Sequence, residues 1–176
     1  MNLISETDLR FSQWIKKYLH NEKLSWVLSR VNRGEVFALI LLPLMILSQR
    51  YSPLYVSLPL VLVFTFFTDR LVLFLKKYYA RKRPLISVMG KVDANPDMKH
   101  SFPSAHSANS MVVATILVFA FHETPYFFVF SIFAGVGRLL TLHHYVSDIV
   151  GGWIIGVLMG LFGVFFFQSV ISTWRY

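Results

Sequence analysis

The chain has 176 residues, 55% of them hydrophobic and only 15% charged, and its mean hydropathy is +0.55. That balance excludes an ordinary soluble domain and points to a small polytopic membrane protein. A net charge of +8 suits an anionic lipid or substrate and, in so apolar a chain, is not the footprint of nucleic-acid binding; the lack of cysteine rules out disulfides and thiolate metal sites.

Met1 to Arg10 include Glu6 and Asp8 and lack the basic-then-apolar order of a cleavable signal peptide, so internal apolar runs are expected to direct insertion. No linker divides the chain, which reads as one domain over 1–176: interfacial helices over 8–33, then a transmembrane core over 34–176. Phe11, Trp14, Ile15, Tyr18 and Leu19 recur at helical spacing; Ser5 or Thr7 can cap the turn, and Asp8 suits its positive end. Beyond His20-Asn21-Glu22-Lys23 the stripe restarts at Leu24, Val27, Leu28 and Val31, with Lys16, Lys17, Lys23, Arg30 and Arg33 at the other positions. An apolar side opposed by cations predicts helices lying in the membrane–water interface, with packing on the protein's own loops as the alternative.

Five apolar runs follow. The first covers about Glu35 to Leu47 and is short for a bilayer; the second covers about Pro53 to Leu75, with Asp69-Arg70 near its far end expected to pack on polar groups. A basic stretch, Lys76 to Pro84, opens a loop with Gly90, Asn95 and Pro96 as turn formers. The third run starts at Pro103, which suits a helix's first turn, and ends near Phe121; His122-Glu123-Thr124-Pro125 is a tight turn. The fourth covers about Tyr126 to Leu142 and the fifth about Asp148 to Val170. In the fifth, Gly152, Gly156, Gly160 and Gly163 form a small-residue ridge, expected to pack inside the bundle rather than make a dimer. The fold class is thus an all-α bundle of about five transmembrane helices preceded by amphipathic interfacial helices.

Following the chain back and forth puts Lys76, Pro103, Arg138 and Asp148 at the same membrane face. Three polar clusters therefore converge. Ser104 and His106 stand at a helix start, where backbone N–H groups favour an anion. Arg138 carries a planar fork suited to phosphate. His144 and Asp148 lie four apart, so a helical turn starting near His144 would let the carboxylate hold one imidazole nitrogen and leave the other free. Taken singly, such features are more often caps, satisfied histidines or topology signals; their arrival on one face is what suggests phosphoryl chemistry.

Three spaced motifs carry a family resemblance: Lys76-x6-Arg83-Pro84, then Pro103-Ser104-Ala105-His106, then Gly137-Arg138-x5-His144-x3-Asp148. Over about residues 69–160 the chain resembles the type 2 phosphatidic acid phosphatase superfamily, related to bacterial acid phosphatases and vanadium haloperoxidases. Ala105 and Gly137 depart from the family's Gly and Ser, at positions that hold no acid, base or nucleophile. The resemblance implies a nucleophilic His144, an Asp148 that orients it, and a His106 that protonates the leaving oxygen. Lys76, Arg83, Ser104, Arg138 and the Ala105 backbone N–H would bind phosphate, and His143 would be a neighbour only. No cofactor or metal is implied.

The expected function is a metal-independent lipid phosphatase working through a phosphohistidine, in the cytoplasmic (inner) membrane. Candidate substrates implied by small bacterial members are undecaprenyl diphosphate, phosphatidylglycerophosphate and the 1-phosphate of lipid A. A non-catalytic lipid-binding or transport protein, or a metal enzyme built on His106, His144 and Asp148, are the alternatives. Positive residues crowd the catalytic face, which argues for the cytoplasm; the resemblance argues for the extracytoplasmic side, the expectation adopted. Oligomeric state is open.

Overall fold

The computed structural model describes residues 6–21, 54–84 and 100–174, together with positions 23, 27, 39, 42, 43 and 45–47. The run expected over 35–47, the second interfacial stripe and the turn formers after Pro84 fall largely or wholly outside these residues. Five helices are described: α1 (Glu6–Tyr18), α2 (Leu54–Tyr79), α3 (Ala105–Phe121), α4 (Tyr126–Leu140) and α5 (Val146–Trp174). Among the described residues no strand occurs beyond one isolated antiparallel bridge, Lys82 with His100.

With 26 and 29 residues, α2 and α5 are long and apolar enough to cross a membrane. At 1.5 Å per residue they measure about 39 and 43 Å, more than the ~30 Å of a hydrocarbon core. Their outward faces are apolar, with Leu62, Phe66 and Phe74 of α2 and Leu158 and Phe165 of α5 exposed. α3 is the central helix, buried on almost every side from Ser107 to Leu117 and flanked by α2, α4 and, most extensively, α5. A sequence apolar all round its helical circumference suits that place.

The close approach of α3 and α5 depends on the glycine ridge. A Cβ on Gly152 would sit 2.6 Å from the Ser104 carbonyl oxygen, and one on Gly156 2.5 Å from that of Ala108. Those neighbours are backbone and cannot yield, so the ridge is spent inside the bundle. It also presses the start of α5 against the start of α3, where the Ser104 N–H donates to the Asp148 carbonyl at 2.9 Å.

Helix ends differ in detail from the sequence reading. α2 runs on to Tyr79 and carries Lys76 and Lys77 in its last turn. α3 begins at Ala105 with Ser104 as its N-cap, so Pro103 lies before the helix, joined to Phe102 by a cis peptide bond, and not in the first turn. α4 closes at Leu140 and α5 opens at Val146, which leaves His143 and His144 in the connection. The turn after α3 is as tight as its residues suggest: His122 takes the left-handed conformation (φ 57°), and its N–H and that of Glu123 cap the Leu117 carbonyl. Asp69 and Arg70 pair with each other at 3.3 Å, and Arg70 is exposed over the Phe66 ring instead of packing on other polar groups.

α1 turns a face towards the protein that the aromatic stripe does not announce. Asp8, Ser12 and Ile15 are buried, whereas Phe11, Trp14, Tyr18 and Leu19 are 40–62% exposed. Ile15 therefore belongs to the inner side, and the aromatic residues point away. The helix end is fastened by the Ser147–Asp8 contacts at one side and by His20 Nδ1, 3.4 Å from the Leu140 carbonyl oxygen, at the other.

Candidate functional site

The polar groups gather where α2 and α4 end and α3 and α5 begin. His144 is buried, and its Nδ1 lies 3.5 Å from Asp148 Oδ2. That is a close approach without a hydrogen bond, since among the described residues Nδ1 has no hydrogen-bond partner. The pair does not share a helical face as the four-residue spacing suggests; His144 precedes α5. Asp148 stands in the first turn of α5 and accepts the Tyr145 N–H on Oδ2 at 2.8 Å, one half of a capping box. Capping aims the carboxylate back along the chain at His144.

Burial pushes the His144 imidazole well below its usual range, and the charges of Arg83, Arg138, Lys76 and His143 push it further. It is therefore neutral at physiological pH, as a nucleophile must be. His143 is pushed down to about 4, by burial first and then by Arg138 and Arg83. Its Nδ1 meets the Thr141 hydroxyl at 2.8 Å, and its carbonyl oxygen accepts Arg83 Nη1 at 3.3 Å. His143 thus meets Arg83 through its backbone.

The cations expected to bind phosphate converge. Lys76 is buried at the end of α2, Arg83 reaches the 143–144 connection, and Arg138 and Arg83 are near enough to repel. Arg138 Nη2 lies 2.6 Å from His106 Nε2 and 3.0 Å from its Nδ1. A guanidinium can only donate, so the receiving imidazole nitrogen carries no proton. Among the described residues the buried Arg138 Nε has no acceptor, an unmet donor in a place that suits an anion.

Ser104 is fully buried and accepts from the Ser107 N–H at 3.4 Å and the Ser107 hydroxyl at 3.0 Å. Its place as cap leaves it able to donate to an anion, because both contacts use the oxygen and leave the hydroxyl hydrogen. Ala105 opens α3, so its N–H has no carbonyl within the helix to meet. Every candidate residue named from the sequence is in this one region. Among the described residues, no group of three or more His, Asp or Glu is placed to hold a metal ion.

Sequence reasoning missed one buried cation. Arg81 donates from Nη1 to Asp148 Oδ1 at 2.5 Å and to the Ser147 hydroxyl at 2.6 Å. From Nη2 it donates to Asp8 Oδ2 at 2.6 Å, and its guanidinium carbon lies 4.4 Å from the Tyr145 ring centroid. Breaking a buried pair by removing one member typically costs about 3–5 kcal/mol. In the sequence Arg81 is one of several cations between Lys76 and Pro84, with no spacing to mark it. The only signal for Asp8 was its place with Ser12 and Ile15 on one helical edge. The same segment is clipped to the loop before α3: the Ser101 N–H donates to the Arg81 carbonyl at 2.8 Å, and its hydroxyl to the Lys82 carbonyl at 3.2 Å.

Comparisons with known proteins give the family and the fold. Residues 54–171 match the PAP2 superfamily. The fold is similar to that of a transmembrane PAP2 type phosphatidylglycerolphosphate phosphatase from Bacillus subtilis, with a TM-score of 0.65 and 23% identity, over 97% of this chain and 89% of that one. It is similar also to LpxE from Aquifex aeolicus, with a TM-score of 0.68 and 21% identity, over 93% of this chain and 99% of that one. No curated protein sequence matches significantly. The matched segment holds every residue gathered around His144 except Asp8, and by that match the chain belongs to the PAP2 superfamily.

Proposed function

We propose that the protein is a membrane-embedded, metal-independent lipid phosphatase that works through a phosphohistidine. The observation that carries this reading is a buried His144 with a carboxylate 3.5 Å behind Nδ1 and the charges of Lys76, Arg83 and Arg138 near enough to disfavour its protonation. Phosphoryl transfer asks mainly for charge neutralisation and in-line placement, and three cations with a helix start can provide both. His144 Nε2 attacks phosphorus as the bond to the lipid oxygen breaks, and His106 gives that oxygen a proton. Water then attacks the phosphohistidine, His106 takes back a proton, and inorganic phosphate leaves. Arg138 links the two steps: once its guanidinium turns from His106 to the phosphate, the ring nitrogen it occupied is released to carry the acid proton.

A site at the end of apolar helices favours a phosphate on a membrane lipid. The bundle then has about five spans, with the run over 35–47 as the first, and α1 lies in the interface with its exposed aromatic side in lipid. The similar Bacillus subtilis protein is a phosphatidylglycerolphosphate phosphatase, which keeps that lipid among the candidates, beside undecaprenyl diphosphate and lipid A 1-phosphate. The extracytoplasmic face of the cytoplasmic membrane is the proposed side. Purified protein tested against these three lipids should release inorganic phosphate from at least one and keep doing so in EDTA. Binding to vesicles of those lipids with no release from any of them, or from an aryl phosphate, would leave the non-catalytic lipid-binding reading in its place.

The cations give a second test. Arg83→Ala and Arg138→Ala each remove donors from a group whose charge redistributes in the transition state, so kcat should fall by about 10²-fold or more and KM should rise. Lys82 is exposed beside the half-buried Arg83, and Lys82→Ala should stay within about threefold of wild type. A large kcat loss at Lys82 with none at Arg83 would remove the first motif from the site.

A further inference from the structure

Asp148 has two oxygens and two tasks. Oδ2 faces His144 Nδ1 and the Tyr145 N–H, while Oδ1 is held by Arg81. How the carboxylate is turned, and so what it presents to His144, depends on where the guanidinium stands. That position is set from outside the matched family segment. Asp8 Oδ2 takes the other end of the fork at 2.6 Å, and the same oxygen accepts the Ser147 hydroxyl at 2.6 Å, while Asp8 Oδ1 takes the Ser147 N–H at 3.2 Å. The side chains of Asp8, Arg81 and Asp148 are all 6% exposed or less, so water does not compete for these bonds.

We infer that Asp8 and Arg81 are a positioning pair, in which α1 clamps the Arg81 fork so that Asp148 is held in the orientation that serves His144. Arginine suits this place because its planar fork bridges two carboxylates at a fixed angle, which an ammonium cannot do. One cation between two carboxylates also leaves an excess negative charge beside His144, in a region otherwise crowded by Lys76, Arg83 and Arg138. α1 is thereby a working part of the site, although its aromatic side faces away from it.

The inference rests on the reading of His144 as the nucleophile, and its test has an arm that does not need turnover. Asp8→Asn keeps the shape of the side chain and removes its charge; it should lower kcat on the lipid substrate by about tenfold or more, with KM within about twofold, because placement and not binding is lost. Arg81→Gln should lose at least as much, and the double variant no more than Arg81→Gln alone. Glu6→Gln, on the exposed pair with Arg10, should match wild type. In ¹⁵N-histidine-labelled protein, the His144 Nδ1 resonance, assigned by its loss in His144→Gln, should move in both Asp8→Asn and Arg81→Gln. Should Asp8→Asn fail to fold, Arg81→Lys, which keeps the charge and loses the fork, should show the same kcat loss and the same moved resonance. If wild type releases phosphate while these variants keep its kcat and an unmoved resonance, the pair does not position Asp148. If wild type itself turns over no lipid, the phosphatase reading fails, and the resonance alone decides the pair: moved supports it, unmoved overturns it.

Discussion

His144→Ala is expected to abolish turnover, with a loss of about 10⁴-fold or more in kcat on lipid and aryl phosphates alike, because among the described residues no other buried imidazole has a carboxylate behind it. Helix packing should survive, since His144 lies in the connection before α5 and not in the core formed by α3 and its neighbours. The adjacent histidine is the natural control. His143 offers Arg83 its carbonyl, which alanine keeps, so His143→Ala should stay within about tenfold of wild type. The reverse pattern, a dead His143→Ala beside an active His144→Ala, would move the nucleophile by one residue. The pH dependence of wild type gives a related check. Burial and the surrounding cations hold His144 below the ordinary histidine range. It is deprotonated above that lowered pKa and lost as a nucleophile only below it. The acid limb of kcat/KM should therefore lie under pH ~6.5, and it reports the coupled site rather than one residue. An acid limb above that value would contradict the electrostatic picture.

The second large effect separates the two catalytic histidines. His106→Ala should cost about 10²–10⁴-fold on a lipid phosphate, whose alkoxide or phosphate leaving oxygen needs a proton. On p-nitrophenyl phosphate, whose leaving group is stable as an anion, most of that loss should disappear. His144→Ala should be rescued on neither substrate. Because Arg138 donates to the His106 ring at 2.6 Å, some of the deficit could come from a misplaced Arg138. A KM rise shared by both substrates would report that contribution, while the substrate-dependent part in kcat reports the proton. Equal loss factors for both variants on both substrates would refute the division into acid and nucleophile.

Much of this site is legible in the sequence. Motif spacing and the count of apolar runs place Lys76, Arg83, Ser104, Ala105, His106, Arg138, His144 and Asp148 at one end of the bundle, because a helix crossing a bilayer has only two ends to put a residue at. The glycine ridge of α5 is local in the same way: four small residues at helical spacing mark one face, and that face meets α3. Apolar character likewise marks α2 and α5, whose length and composition are enough to cross a membrane. Periodicity marked the exposed aromatic side of α1 but not the face that polar contacts turn inward. The aromatic stripe of α1 was conspicuous, yet Asp8, Ser12 and Ile15 turn inward, because the buried partner of Asp8 is 73 residues away in Arg81. The orientation of Asp148 also belongs to tertiary structure, for Arg81 and Asp148 are 67 residues apart and no spacing rule connects them. A residue's place along a membrane helix follows from one-dimensional order, but the partner that satisfies a buried charge is selected by three-dimensional proximity, and only the folded chain brings Asp8, Arg81 and Asp148 together.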